Sequence, residues 1–207
     1  PNGIDRPEKR AVKIIGEKYG LRGQDYILFL SRLVPEKGAH YLIEAYKRLK
    51  TDKKLVIAGG NSHAEEYRNK IYDYVRADDN IIMTGFVQGR EVEELYSNAY
   101  LFVLPSDVEG MAMCLLEAMS YGNCCVVSDI PENREVVEDK AVCFKRGDRD
   151  DLCEKLSFLL SNPQKVQEYK ESSASYICGK YNWEDVVEKT IQIYDGGKKN
   201  GRRRRGK

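Results

Sequence analysis

From residue 26 onward, short apolar runs alternate with longer amphipathic stretches. Residues 26–30 (YILFL) are continuously apolar, as expected of a strand buried on both faces. Leu42, Ile43, Tyr46 and Leu49 recur at helical spacing and predict a helix over 39–50. The same reading predicts strands at 55–58, 81–84, 101–104, 124–127 and 141–144, the first two stopped by Gly59–Gly60 and Gly85. It predicts helices at 64–77, 90–98, 113–121 and 150–160, with Gly122 ending the third. After Pro163 two helical stretches follow, 164–178 and 183–195, and Asn182 reads as the cap of the second. This β-α-β-α rhythm predicts an α/β fold: a parallel sheet with helices on both faces and right-handed crossovers. Ligands of such sheets bind beyond the carboxyl ends of the strands, so the loops 31–38, 59–63, 85–89 and 105–111 are where chemistry is expected.

Composition narrows the class. The 207 residues are 42% apolar and 32% charged, an ordinary globular balance, and no apolar run approaches the ~18 residues of a membrane span. The opening Pro1–Asn2–Gly3–Ile4–Asp5 has no initiator Met and no secretory-leader pattern. It reads as a fragment or processed chain of a cytoplasmic protein. The six cysteines lack any metal or C-x-x-C spacing and read as reduced structural thiols. The net charge of +1 conceals an asymmetry: residues 198–207 carry seven basic groups and no acid, leaving 27 basic against 33 acidic side chains elsewhere. Residues 196–207 are expected to be a disordered basic tail. Such a tail is either a solvated end or a peripheral contact with an anionic membrane at the inner face. No nucleic-acid partner is expected, because the body is acidic and lacks an interleaved basic and aromatic surface.

The stretch 109–119 (EGMAMCLLEAM) carries the strongest chemical signal. It sets Glu109 in the loop before a helix and Glu117 inside it, with the first free amides of that helix between them, an anion cradle flanked by carboxylates. A nucleotide-sugar, with phosphates between two hydroxyl-rich sugars, fits that order. Glu109 alone is explicable by the helix dipole, but Glu117 lies among apolar neighbours and needs a partner. Arg32 and Lys37 share one loop at a strand's carboxyl end, a fork and a point charge suited to a diphosphate. Read alone, they are also consistent with two solvated surface charges. Asp107 and Glu109 resemble an acidic metal pair, yet Arg32 and Lys37 already offset phosphate charge, so no metal or other cofactor is expected. His40 and His63 read as surface or capping residues. Gly59 and Gly60 match neither phosphate-loop spacing and read as room for a close approach, to a nucleobase or ribose.

Taken in order, PNGID at 1–5, SRLVPEKG at 31–38, TGFV at 84–87 and the Glu109–Gly110 to Leu116–Glu117–Ala118–Met119 segment with Gly122 resemble the retaining GT-B glycosyltransferases of family 4. The resemblance spans residues 1–195 and implies a Rossmann-like nucleotide-sugar-binding domain, the C-terminal half of a GT-B fold, with the N-terminal acceptor domain absent. It implies that Arg32 and Lys37 bind the diphosphate and offset leaving-group charge. Glu109 would contact the donor sugar near the reacting carbon, and these three are the catalytic candidates. Glu117 would accept from the ribose hydroxyls, backbone at Gly110, Met111 and Ala112 would touch sugar or phosphate, and Phe86 and Val87 would border the base beside Gly59. Met111 and Ala112 stand where the family often has an aromatic residue and then Gly or Pro. The expected function is hexose transfer from a UDP- or GDP-sugar to a glycan or glycolipid, with the acceptor held by the missing domain. The alternatives are a nucleotide-sugar-binding regulatory module, or an epimerase, phosphorylase or hydrolase on the same fold.

Overall fold

A computed structural model describes residues 2–60, 64–188 and 190–192. His63 and the basic tail lie outside the described residues, so the expectations for both, and the boundary at 195, are not addressed by it. The chain runs α1 (Ile14–Tyr19), β1 (Tyr26–Leu30), a 3₁₀ turn (Pro35–Lys37), α2 (Ala39–Tyr46), β2 (Lys54–Ala58), α3 (Glu65–Val75), β3 (Ile81–Gly85) and α4 (Arg90–Asn98). It continues through β4 (Leu101–Leu104), α5 (Met113–Ser120), β5 (Cys125–Ser128), α6 (Pro131–Val137), β6 (Val142–Phe144), α7 (Arg149–Ser161) and α8 (Pro163–Lys180). Residues 183–188 and 190–192 are helical as well.

The six strands form one parallel sheet in the order β3-β2-β1-β4-β5-β6. Successive residues of a strand point to opposite faces, and here the two faces feed two separate cores. Tyr26, Leu28, Val56, Phe102, Leu104, Cys125 and Val127 pack with Leu95, Leu115 and Ile177. Ile27, Phe29, Leu55, Ile57, Leu101, Val103 and Val126 pack with Leu42, Ile71, Leu152 and Leu156. Continuous apolar runs are therefore what this sheet demands, since neither face meets water.

Element ends follow local chemistry. Asp148 caps α7 by accepting from the amides of Asp150 and Asp151, and Asn182 accepts from Asp185 N at 2.8 Å, as its capping role requires. Gly122 follows α5 at φ +74°, a left-handed residue at the C′ position. α2 stops four residues before the predicted end: Arg48 and Leu49 turn to bond three residues back, and the Tyr46 hydroxyl ties the corner to Lys53 O at 2.7 Å. The first described residues are held to the end of α8 and the helix that follows it. Ile4 N donates to Tyr181 O at 2.7 Å, and a Cβ on Gly3 would sit 2.4 Å from the Trp183 ring.

Strand order creates the functional crevice. β1 is followed in space by β2 and β3 on one side, and the chain then returns to place β4 on the other. The loops leaving β1 and β4 thus diverge from adjacent strands, the switch point at which open α/β sheets take ligands. Gly38 lets these loops touch: its φ is +69°, and a Cβ there would lie 2.1 Å from Pro105 O. Gly20, also left-handed at φ +63°, has open space around it. Gly38→Ala is expected to lower the denaturant midpoint well beyond Gly20→Ala. The backbone conformation costs each about 1–2 kcal/mol, and only the first adds the collision. Equal midpoints for the two variants would show that the loops do not need this approach.

Candidate functional site

The centre of the crevice is an ion pair. Lys37, on the 3₁₀ turn after β1, places Nζ 2.6 Å from Glu109 Oε1, with side-chain exposures of only 11% and 4%. A buried pair needs its remaining lone pairs satisfied, and Glu109 Oε1 also accepts from Ser106 Oγ at 2.7 Å. Ser106 is held in turn: its carbonyl accepts from Ser128 Oγ at 2.5 Å, and Asn133 Nδ2 donates to that oxygen at 3.1 Å. All three residues are buried, so a polar chain runs from α6 through the end of β5 to the loop that carries Glu109. The loop is also tied to the β1 side, where Asp107 N donates to Glu36 O at 2.8 Å and Tyr41 donates to Asp107 Oδ2 at 3.2 Å.

Beside this pair stands the start of α5. It has no side-chain cap. Among the described residues the amides of Met113 and Cys114 have no acceptor, while those of Leu115 and Leu116 turn back to Ala112 O. Gly110 faces open space. Free amides, an open glycine and a lysine at hand are the features an anion site is built from. Glu117, half-buried within α5, finds the partner its surroundings require: the buried Tyr96 hydroxyl donates to Oε2 at 3.1 Å and to Cys114 O at 3.3 Å. Burial pushes the Glu117 carboxyl above its ordinary value and the Tyr96 bond opposes that. Burial, with Cys114 and Glu117 nearby, lifts the Tyr96 phenol well above its own, so it stays a donor.

The other expected residues fall around this centre. Arg32 is exposed on the β1 loop, and its side chain has no partner among the described residues. Phe86 is 72% exposed and stands over Gly60, where a Cβ would meet its ring at 2.5 Å. Both line a cavity of about 670 Å³ with Gly59, Arg68, Tyr72 and Gly85, next to the crevice. Gly59 gives room to the chain itself, since a Cβ there would lie 2.3 Å from Ser31 O. Val87 turns its side chain into the core, leaving only backbone to a ligand, and Ala112 does the same, as its expected backbone contact allows. Met111 is exposed at the crevice mouth. His40 is half-buried, with Nδ1 2.8 Å from the Tyr67 hydroxyl, and burial lowers its pKa against the pull of Asp107 and Glu44. Among the described residues no cluster of His, Cys, Asp or Glu has metal-binding geometry.

Sequence reasoning passed over Ser31, Tyr96, Ser106 and Cys114. Each follows or precedes a strand or lies one turn from a glutamate, the only signal available. Cys114 sits between Glu109, Lys37, Glu117 and the Ser31 hydroxyl; burial first, then the carboxylates, push its thiol up to about 12. It remains a neutral thiol at physiological pH and no nucleophile.

The family model for "Glycosyl transferases group 1" matches residues 13–176 of this chain. The chain belongs to that family. An uncharacterised glycosyltransferase of Methanocaldococcus jannaschii is 29% identical over 173 residues, 81% of this chain and 44% of the relative. Alpha-maltose-1-phosphate synthase of Mycolicibacterium smegmatis is 26% identical over 181 residues, 81% of this chain and 47% of the relative. The crystal structure of Anabaena HepE in complex with UDP and glucose superposes with a TM-score of 0.80 at 16% identity, covering 88% of this chain and 51% of that one. This likeness shows the shared fold, that of GT-B glycosyltransferases. The group 1 chain described here spans about half the length of the curated relatives it matches.

Removing one member of a buried pair strands the other. Lys37→Met is expected to destabilise the domain by about 3–5 kcal/mol, and Lys37→Met with Glu109→Gln to recover most of that loss. Urea denaturation of the two variants decides it: a double variant as unstable as the single would mean that the pair does not hold the crevice together.

Proposed function

We propose that this chain is the C-terminal, donor-binding half of a retaining family 4 glycosyltransferase that moves a hexose from a nucleotide-sugar to a glycan or glycolipid acceptor. The observation that carries this reading is the buried Lys37–Glu109 pair at the mouth of the uncapped α5. A nucleoside diphosphate-sugar would lay its phosphates on the amides of α5, with Lys37 and Arg32 as counter-charges. Lys37 would then divide its attraction between the diphosphate and Glu109, and Glu109 would be free to accept from a sugar hydroxyl near the reacting carbon. As the glycosidic bond breaks, negative charge grows on the leaving diphosphate. Fixed cations and amides that need no reorganisation stabilise that charge.

Glu117 would accept from the ribose hydroxyls, held in place by Tyr96. Phe86, over the cavity walled by Gly60 and Tyr72, would border the base. Two bound states of UDP recorded for the Anabaena protein, with and without glucose, support a nucleotide-sugar in a crevice of this fold. The charge on the diphosphate is met here by Lys37, Arg32 and amides, so the reading requires no metal. The acceptor and its alignment belong to the other half of a GT-B protein, and alignment is a large part of enzymatic rate. This half alone should therefore bind donor and transfer sugar poorly.

Calorimetric titration of the chain with UDP, GDP and ADP and their glucose conjugates tests the reading. One base should bind, and both Glu117→Ala and Lys37→Ala should weaken it, each by at least about tenfold. No binding by any of them, or binding undiminished in both variants, would overturn the site. The pH dependence is a separate check. A ribose acceptor must be ionised, and burial has raised the Glu117 carboxyl. Affinity should therefore fall as pH drops through that raised value, above the range of an ordinary glutamate. Tyr96→Phe removes the opposing hydrogen bond and should move the fall to higher pH still; an unmoved profile would remove Tyr96 from this role.

A further inference from the structure

At the opposite end of the sheet lies a second cavity of about 510 Å³. Gln24, Ala99 and Asn123, the residues leading into β1, β4 and β5, form its floor, and Arg6, Lys9, Lys170 and Glu171 stand around it. Lys170 rises from α8 and is half-buried. Its ammonium donates to Ala99 O at 2.8 Å and to Gln24 Oε1. An ammonium has three protons, and among the described residues the third finds no acceptor. Among them, too, none of Arg6, Lys9, Lys53 and Lys170 makes an ion pair with a carboxylate. Lys9 brings its Nζ over Gly122, 3.4 Å from where a Cβ would sit, and Lys53 donates to Gln24 O at 2.9 Å. Gln24, on which two of these lysines converge, is held at φ +66°, a left-handed conformation unusual for a residue with a side chain.

We propose that this cavity is an anion site, distinct from the donor crevice, that takes a phosphate monoester through Lys170, Lys9 and Arg6. Cations gathered without carboxylates repel one another and are relieved by a doubly charged oxyanion, which also accepts the spare proton of Lys170. Glu171, the one acid on the rim, pairs with Gln167 and leaves three cations to the ligand. The state of Lys170 agrees. Burial, with Lys9 and Lys53 adding to it and Cys124 and Cys125 opposing, brings the amine down to about 8. The Tyr100 ring is the remaining neighbour, 5.7 Å away. An arriving anion favours the ammonium, so Lys170 takes up a proton on binding near pH 8 and almost none at a pH well below that value.

The test is calorimetry of this chain with inorganic phosphate in two buffers of different ionisation enthalpy. Expected are phosphate binding with uptake of up to roughly half a proton at pH 8, and net proton release near pH 6, where Lys170 is already charged and free phosphate must give up its second proton to bind as the dianion. Lys170→Met should abolish the uptake and weaken phosphate at least about tenfold. Lys9→Ala, at an exposed position, should weaken phosphate with the fold intact, and Arg32→Ala, an exposed residue of the donor crevice, should leave the uptake unchanged. Absence of phosphate binding, or uptake that survives in Lys170→Met or vanishes in Arg32→Ala, would overturn the proposal. Vesicles bearing phosphatidic acid separate the sources. Capture that phosphate displaces assigns a lipid headgroup, and phosphate binding without capture assigns a soluble ester; the site stands in both cases.

Discussion

The contact between the β1 and β4 loops is what the rest of this structure depends on. Gly38 lies against Pro105 O because it has no Cβ and accepts a left-handed backbone. That approach brings Lys37 within 2.6 Å of Glu109, and a charge pair this deeply buried is stable only where its geometry is fixed. The fixing comes from behind, through Ser106, Ser128 and Asn133, and from the side, through Tyr41 and Asp107. Two cores and six strands thus act as a rigid mount for one lysine and one carboxylate. A site on such a mount loses little entropy when it orders a ligand.

Much of the fold was legible because a sheet covered on both faces writes itself as apolar runs. Tyr26–Leu30, Arg90–Asn98 and Leu101–Leu104 fall where the pattern places them. α1 and α6 were not legible. With six and seven residues, they complete barely two turns, too few for a helical period to emerge, and α6 is announced only by Pro131 at its first position. The long reading of α2 failed for a different reason. Leu49 keeps the helical spacing, but the chain has already tightened to three-residue bonding, which places it on nearly the same side.

The site was legible in its parts and not in its joints. Glu109 and Glu117 declare themselves by spacing, and Arg32 and Lys37 by sharing a loop. That Lys37 meets Glu109 cannot be read from a separation of some seventy residues. It follows from the order β1-β4, which no local pattern encodes. Tyr96 was hidden for the same reason: its hydroxyl reaches Glu117 from the neighbouring helix, and as sequence it looked like one more apolar residue of α4. Gly59 shows the same limit: a glycine that admits a ligand and one that admits another stretch of chain, here Ser31 O, look identical until the neighbour is known.

The tie between residues 3–4 and 181–183 has a mechanical meaning. Ile4 is bonded to Tyr181, and Gly3 is covered by Trp183, so the strand of chain entering the domain and the helix leaving it are clamped at one spot. The entering and leaving stretches therefore share one anchor on the domain, and loosening either the Ile4 amide or the Trp183 ring would release both together.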